Sequence, residues 1–395
     1  MTTSDNDSES PAVDSAMEIM LDFASITGLD PPSHNPKRYL WTDAFAVCNY
    51  LELYRQTNDE NFLKLVLKLI NQVHHTLGRY REDDPREGWI SGLNDEYGEI
   101  HPTKGGLRIG KELNERLPTE PFDERLEWDR DGQYYHYLTK WMHALSRASG
   151  VTGDPVYSRW AVELARAAHV GFTYSTPGGK RMYWKMSIDL QHPQVPSMGQ
   201  HDPLDGYITY NELQISSQDF EQDLPDLTPE IEDMAKICKS MSLVTDDPLG
   251  IGGLLSDALR VGQLMVKSND SFDLEILLQD LLTSALLGLK SYAQNNPQDF
   301  PAVYRLAFRE MGVSIGIKGM EYLKSLIESN EDSFKEHDFL YQPVEALKEY
   351  MPLADSLEKF WLKDENRKSN TWLEHREINM VMVATSLTPC GFLRI

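Results

Sequence analysis

Apolar side chains recur roughly every three to four residues through most of this chain, the spacing that gathers them on one face of a helix. Residues 39–56 carry Leu40, Phe45, Val47, Leu51 and Leu53, and residues 60–80 answer with Phe62, Leu65, Leu69 and Val73. The same periodicity predicts helices at 14–27, 128–149, 155–170, 207–218, 228–241, 248–267, 273–293, 301–311, 315–328, 336–349, 355–362 and 371–386. A phrase of the form T-[NG]-D-x-x-[FY] joins helices at Thr57 to Phe62 and again at Thr152 to Tyr157. Its Asn or Gly ends one helix in a left-handed turn, its Asp caps the next, and its aromatic ring packs into the hairpin. A fainter echo runs from Ser268 to Phe272. Helical hairpins repeated along one chain predict an all-α ring, an (α/α)6 toroid, with a small β-hairpin as an excursion from it.

The periodicity lapses in two places. Residues 82–126 are rich in Gly, Pro and charge and are too long for an ordinary connector. They hold Trp89, Tyr97, Ile100, Leu107 and Ile109, which predicts an ordered excursion. Further on, Gly171–Tyr174 and Arg181–Asp189 flank a Pro177-Gly178-Gly179 turn, and Met182, Trp184, Met186 and Ile188 alternate, as in a β-hairpin. An irregular stretch, Gln191–Gly206, follows. The C-terminal half is more evenly helical, so a site is expected on the excursions, at 82–130 and 171–212.

Composition narrows the classes. The 395 residues read as an acidic, disordered leader at 1–13 and one domain at 14–395. A net charge of −24 repels nucleic-acid phosphates and anionic membranes, so neither is an expected partner. Cys48, Cys238 and Cys390 form no C-x-x-C pair, which argues against a disulfide framework or structural zinc and fits a reducing compartment. The start lacks the basic and apolar regions of a signal peptide, and no stretch reads as the roughly 20 apolar residues of a membrane span. A cytoplasmic location is the expectation. The oligomeric state stays open.

Two phrases carry a family resemblance. R-Y-L-W-T-D-A-F at 38–45 leads into the first T-N-D turn, and E-W-D-R-D-G-Q-Y-Y-H at 127–136 leads into the second. Over roughly 38–170 the chain resembles the six-hairpin glycosidase-like superfamily, which includes unsaturated glucuronyl hydrolases and N-acylglucosamine 2-epimerases. That resemblance implies a barrel acting on a small sugar or oligosaccharide. In the hydrolases an essential Asp stands two residues after a Trp at a helix start. Here Asp129 and Asp131 stand one and three residues after Trp128, out of that register.

The chemistry-bearing positions fall into groups. Glu127, Asp129, Asp131 and His136 crowd one predicted helix start beside Trp128, Tyr134 and Tyr135. Neighbouring carboxylates split their pKa values, as a glycosidase acid and base require; the plainer reading is an acid-rich helix N-terminus. His201, with Asp202 or Asp205 to orient it, is a second candidate acid or base, set against ordinary turn chemistry. Asp43, Trp41, Trp89, Trp128, Tyr134, His136, Trp184 and Arg108 are the candidate substrate-binding residues, with rings for sugar faces.

His74-His75 point about 100° apart on a helix and cannot share a metal, and no metal or organic cofactor is expected. Gly105 to Lys111 nearly spells a phosphate-binding loop, but Glu112 stands where a hydroxyl is needed. Pro85 breaks the D-D-x-x-E run at 83–87. The leading expectation is a glycoside hydrolase using Asp131 or Asp129 with His201 and Asp202. The alternatives are a sugar epimerase or isomerase with His201 and another His, and a non-catalytic helical scaffold.

Overall fold

The computed structural model describes residues 11–217, 224–239, 241–267, 272–295, 297–335 and 337–395. Six inner helices form a closed ring: α2 (Leu40–Thr57), α6 (Tyr135–Thr152), α8 (Asp202–Ser217), α10 (Pro248–Lys267), α12 (Ala307–Ser329) and α16 (Arg376–Leu387). Each packs on the next in that order, and α16 packs back on α2. Behind them stand α3 (Glu60–Leu77), α7 (Pro155–Phe172), α9 (Thr228–Cys238), α11 (Phe272–Gln294), and the pair α13 (His337–Lys348) and α14 (Met351–Trp361) behind α12. The sixth outer helix is α1 (Pro11–Ile26), which backs α16. The fold is a six-hairpin (α/α)6 barrel.

The two joints fold as their sequence predicts. Asn58 and Gly153 take left-handed conformations, with φ of 55° and 70°. The Asp59 and Asp154 carboxylates accept from the Asn61 and Val156 amides at 2.9 and 3.0 Å. Thr57 and Thr152 hydroxyls each accept from the following Asp amide at 3.2 Å. Phe62 stacks against Tyr50, and Tyr157 packs edge-on to Trp160. The echo at Ser268 to Phe272 falls largely outside the described residues, as do the first ten residues of the expected leader. Residues 11–13 already belong to α1.

Several elements differ from the periodicity reading. The expected helix 128–149 is broken: α5 (Glu124–Asp129) ends, Gly132 turns at φ 143°, β1 (Gln133–Tyr134) follows, and only then does α6 begin. The expected helices 301–311 and 315–328 fuse into α12. Gly312, in the gap between the two expected helices, and Gly316 are contact points: they let α12 press against Gly252 of α10. The C-terminal 371–386 segment divides into α15 (Asn370–Leu373) and α16. The β-hairpin is β2 (Thr173–Thr176) with β3 (Gly179–Met182), whereas β4 (Lys185–Met186) joins β1 and β5 (Pro193–Val195) in a separate sheet. The 79–131 excursion is ordered, with α4 (Asp95–Ile100) and isolated bridges at Arg79 to Trp89 and Leu113 to Arg130. A short α17 (Cys390–Leu393) packs on α2. Helix α10 is long and apolar enough to cross a membrane by composition alone, contrary to the sequence reading; it is mostly buried in the barrel wall.

The α10–α12 contact is testable. A Cβ at Gly252 would land on the Gly312 carbonyl, whereas one at Gly253 meets open space. Gly252→Ala is expected to cost ~1–3 kcal/mol by overpacking. Gly253→Ala is expected to stabilise by up to ~1 kcal/mol through helix propensity. Urea unfolding of the two variants gives both signs.

Candidate functional site

A cavity of about 1420 Å³ opens at the end of the barrel where the inner helices begin. It takes lining residues from the start of every inner helix: Asp43 on α2, His136 on α6, Asp202 on α8, Leu249 on α10, Phe308 on α12 and Glu377 on α16. Six helix N-termini therefore converge on one space, and their dipoles favour negative groups there. Carboxylates answer that field on several of these helices. The excursions add Arg81, Lys111, Trp128 and Trp184 at the rim.

The predicted residues divide sharply. Asp43, Trp41, His136, Trp184, His201 and Asp202 all line the cavity, with Trp128 half-exposed beside them. Trp128 and Trp184 meet edge to face at 5.1 Å, and the His136 ring lies nearly parallel to Trp184. His136 Nδ1 faces Asp202 Oδ1 at 3.5 Å without a hydrogen bond between them. Tyr134 sits behind this cluster, against Trp184. Trp89 is buried elsewhere, under Arg79 and against His75. Arg108 touches the cavity, but its guanidinium donates to Asp131 and to the Arg79 and Thr76 carbonyls.

Asp131 needs correction as a candidate acid or base. It is fully buried, 2.5 Å from Arg108 Nη1, and its other oxygen accepts from the Gly110 and Gly132 amides at 3.0 Å. Gly110 has φ 95°, and a Cβ there would strike the Arg38 carbonyl. Gly110, the last glycine of the phosphate-loop look-alike, and Gly132 thus let the chain wrap one carboxylate. Asp129 is exposed and lies off the cavity lining. Glu127 is also structural, held by Lys185 and Arg116.

His201 donates through Nε2 to the Leu243 carbonyl at 3.0 Å, because a carbonyl can only accept. That leaves Nδ1 with the lone pair. Burial lowers its pKa, partly offset by the Leu243 carbonyl and nearby Asp202, Asp205 and Asp247. At neutral pH it is a neutral base. His375, which the sequence reading did not single out, also lines the cavity, at the N-cap of α16, beside Phe308. Inner helices α8 and α16 stand third and sixth in the ring, so His201 and His375 approach the cavity from opposite walls.

Deeper in, Asp205 accepts from Thr139 at 2.5 Å and from Lys140 at 2.7 Å, and Arg260 links it to Asp257 at 3.4 and 3.3 Å. Burial followed by the Asp205 charge pushes the Asp257 carboxyl up to about 6. Asp205 is held below its usual range, as Lys140 and Arg260 outweigh burial. Periodicity alone could not single out Asp257 or Arg260, which sit inside an apolar helix. Among the described residues, no group of three His, Cys, Asp or Glu side chains is placed to hold a metal ion.

No family model matches the chain, and no curated protein does. Solved structures similar to it include cellobiose 2-epimerase from Bacillus thermoamylovorans B4167, at 10% identity and a TM-score of 0.46, covering 86% of this chain and 87% of that one. The cellobiose 2-epimerase from Spirochaeta thermophila DSM 6192 shows 9% identity, a TM-score of 0.47, and coverage of 95% and 98%. A D-mannose isomerase shows 12% identity, a TM-score of 0.46, and coverage of 90% and 100%. At these values the likeness is one of chain course, and the ring architecture rests on the helix packing itself.

Two measurements test these assignments. Asp131→Asn strands the buried Arg108 and is expected to lower stability by ~3–5 kcal/mol in urea unfolding. Burial pushes Asp43 from 3.8 up to about 6, against the pull of Arg38. A raised folded value means its contribution is complete below pH 3.8 and is lost as pH rises through about 6. The stability of the wild type relative to Asp43→Asn should therefore fall across that window and stay level on either side.

Proposed function

We propose that this protein is a carbohydrate-active enzyme of the proton-transfer class, a sugar epimerase or isomerase. The observation that carries the reading is the placement of His201 and His375 on opposite walls of one cavity. Inverting a carbon beside a carbonyl requires removing a proton from one face and returning one to the other. Moving a carbonyl along a sugar requires proton transfer between neighbouring carbons. Imidazoles suit both tasks because their pKa lies near the working pH. His201, neutral and with Nδ1 unprotonated, is suited to take the proton; His375 is suited to return it.

The lining supports a sugar as the substrate. Trp41, Trp128 and Trp184 offer rings for C–H faces, and Asp43, Asp202 and His136 offer partners for hydroxyls. Asp257, which also lines the cavity, can accept a hydrogen bond from a sugar hydroxyl. Hydrolysis has weaker support. It asks for two free carboxylates flanking a bond; Asp129 and Asp131 lie off the lining, and Asp205 is committed to Lys140, Thr139 and Arg260.

The experiment is incubation with aldoses, ketoses and reducing disaccharides in D2O, read by NMR and mass spectrometry. Deuterium is expected at the carbon beside the carbonyl. His201→Ala and His375→Ala should each lower the exchange rate by ~10²–10⁴-fold, the usual worth of one acid or base, while the melting temperature holds. Release of a new reducing end with no deuterium uptake would replace this reading by hydrolysis.

A further inference from the structure

The rim of the cavity holds a cation that has no ion-pair partner among the described residues. Lys111 lines the cavity and is partly buried. Its Nζ lies 5.6 Å from the centre of the Tyr39 ring, and among the described residues no carboxylate stands within ion-pair distance of it. Asp129 and Asp131 act on it only at longer range, and Asp131 is already spent on Arg108 and two glycine amides. In a chain with a net charge of −24, where most cavity-facing cations carry a carboxylate partner, this is unusual. Arg38 has Asp43, Lys140 has Asp205, and Arg309 has Asp247.

The Tyr39 ring that the ammonium faces carries a hydroxyl that meets the Tyr137 hydroxyl at 2.6 Å, and both residues line the cavity. Two hydroxyls joined by one hydrogen bond use one proton between them. The accepting hydroxyl keeps its own proton free to donate to a third group. Burial raises both phenols, Tyr39 to about 12, so the pair stays protonated at neutral pH. Burial also lowers Lys111, a cost to the ammonium that a bound negative charge would relieve.

We infer that Lys111, Tyr39 and Tyr137 form an oxyanion-binding subsite, so that the favoured substrates are acidic sugars carrying a carboxylate or a phosphate. The inference rests on the sugar reading above and refines it. A single ammonium with a phenol donor recognises an oxyanion by charge and by one directed hydrogen bond. The subsite lies on the excursion and on α2 and α6, apart from His375 on α16. Charge selection and proton transfer are thus separable by mutation.

The test compares D-glucose, D-glucuronate and D-glucose 6-phosphate by isothermal titration at low and at moderate ionic strength. One of the two acidic sugars is expected to bind at least ~10-fold more tightly than glucose, a margin that shrinks with salt. Preference for glucuronate marks the carboxylate as the ligand, and preference for glucose 6-phosphate marks the phosphate. Lys111→Met, which keeps the aliphatic stem, should bring the ratio close to one. Lys111→Arg should retain most of it, which separates lost charge from lost folding. Equal affinities for all three sugars in the wild type would overturn the subsite, as would a ratio that survives Lys111→Met. Deuterium exchange is scored separately. Exchange without acid preference removes the subsite and keeps the proton-transfer reading; Lys111-dependent acid preference without exchange does the reverse.

Discussion

One guanidinium holds the inner ring in register. Arg260 on α10 is buried and reaches Asp205, Thr209 and Glu212 on α8 and Asp257 on its own helix. Glu212 bonds His143 of α6 at 2.8 Å, and His143 bonds the Phe392 carbonyl at 2.8 Å. Burial would raise the Glu212 carboxyl, but His143 and Arg260 outweigh it and hold it down at about 2. A buried charge is tolerable only with its partners in place, so α6, α8, α10 and α17 cannot slide against one another without stranding a member. The floor of the cavity is thereby fixed, and the groups above it are presented from a rigid base.

At the other end the dominant constraint is shared direction. Because each inner helix is followed or preceded by an outer partner running back, all six begin at the same rim. Side chains far apart in sequence are gathered there: Asp43, His136, His201, Leu249, Phe308 and His375 come from six separate hairpins. The apolar faces bind the ring together, and the first turns are left free for chemistry. Irregular backbone between the helices, particularly 79–131, closes over this rim and supplies its aromatic and charged edge.

The parts legible in the sequence are those written locally. The T-[NG]-D phrase specifies a left-handed residue, a cap and an aromatic plug within six positions, and the joints fold accordingly. The run of Trp41, Asp43, His136, Trp184, His201 and Asp202 reached the cavity because each lies at the start of an inner helix or on an excursion beside one. Asp131 misled for a local reason as well: its acidic neighbourhood resembles a helix start, but Gly110 and Gly132 bend the chain to enclose it. His375, Asp257 and Arg260 stayed hidden because nothing near them in sequence distinguishes them. His375 follows the short α15, and the other two sit among Leu, Ala and Val. Only closure of the ring gives these three a shared environment. The split of 301–328 into two expected helices failed for a similar reason, since a glycine that weakens a lone helix can be the best residue for pressing two helices together.

The seam of the ring joins the most distant parts of the described chain. Helix α1 backs α16, and Asp22 meets Arg376 at 2.8 Å across 354 positions. The first hairpin therefore keeps one flank uncovered until α16 has folded against it. Final closure is a slow, non-local clasp rather than an extension of neighbouring hairpins. Until that clasp shuts, the barrel is an open crescent with an apolar edge.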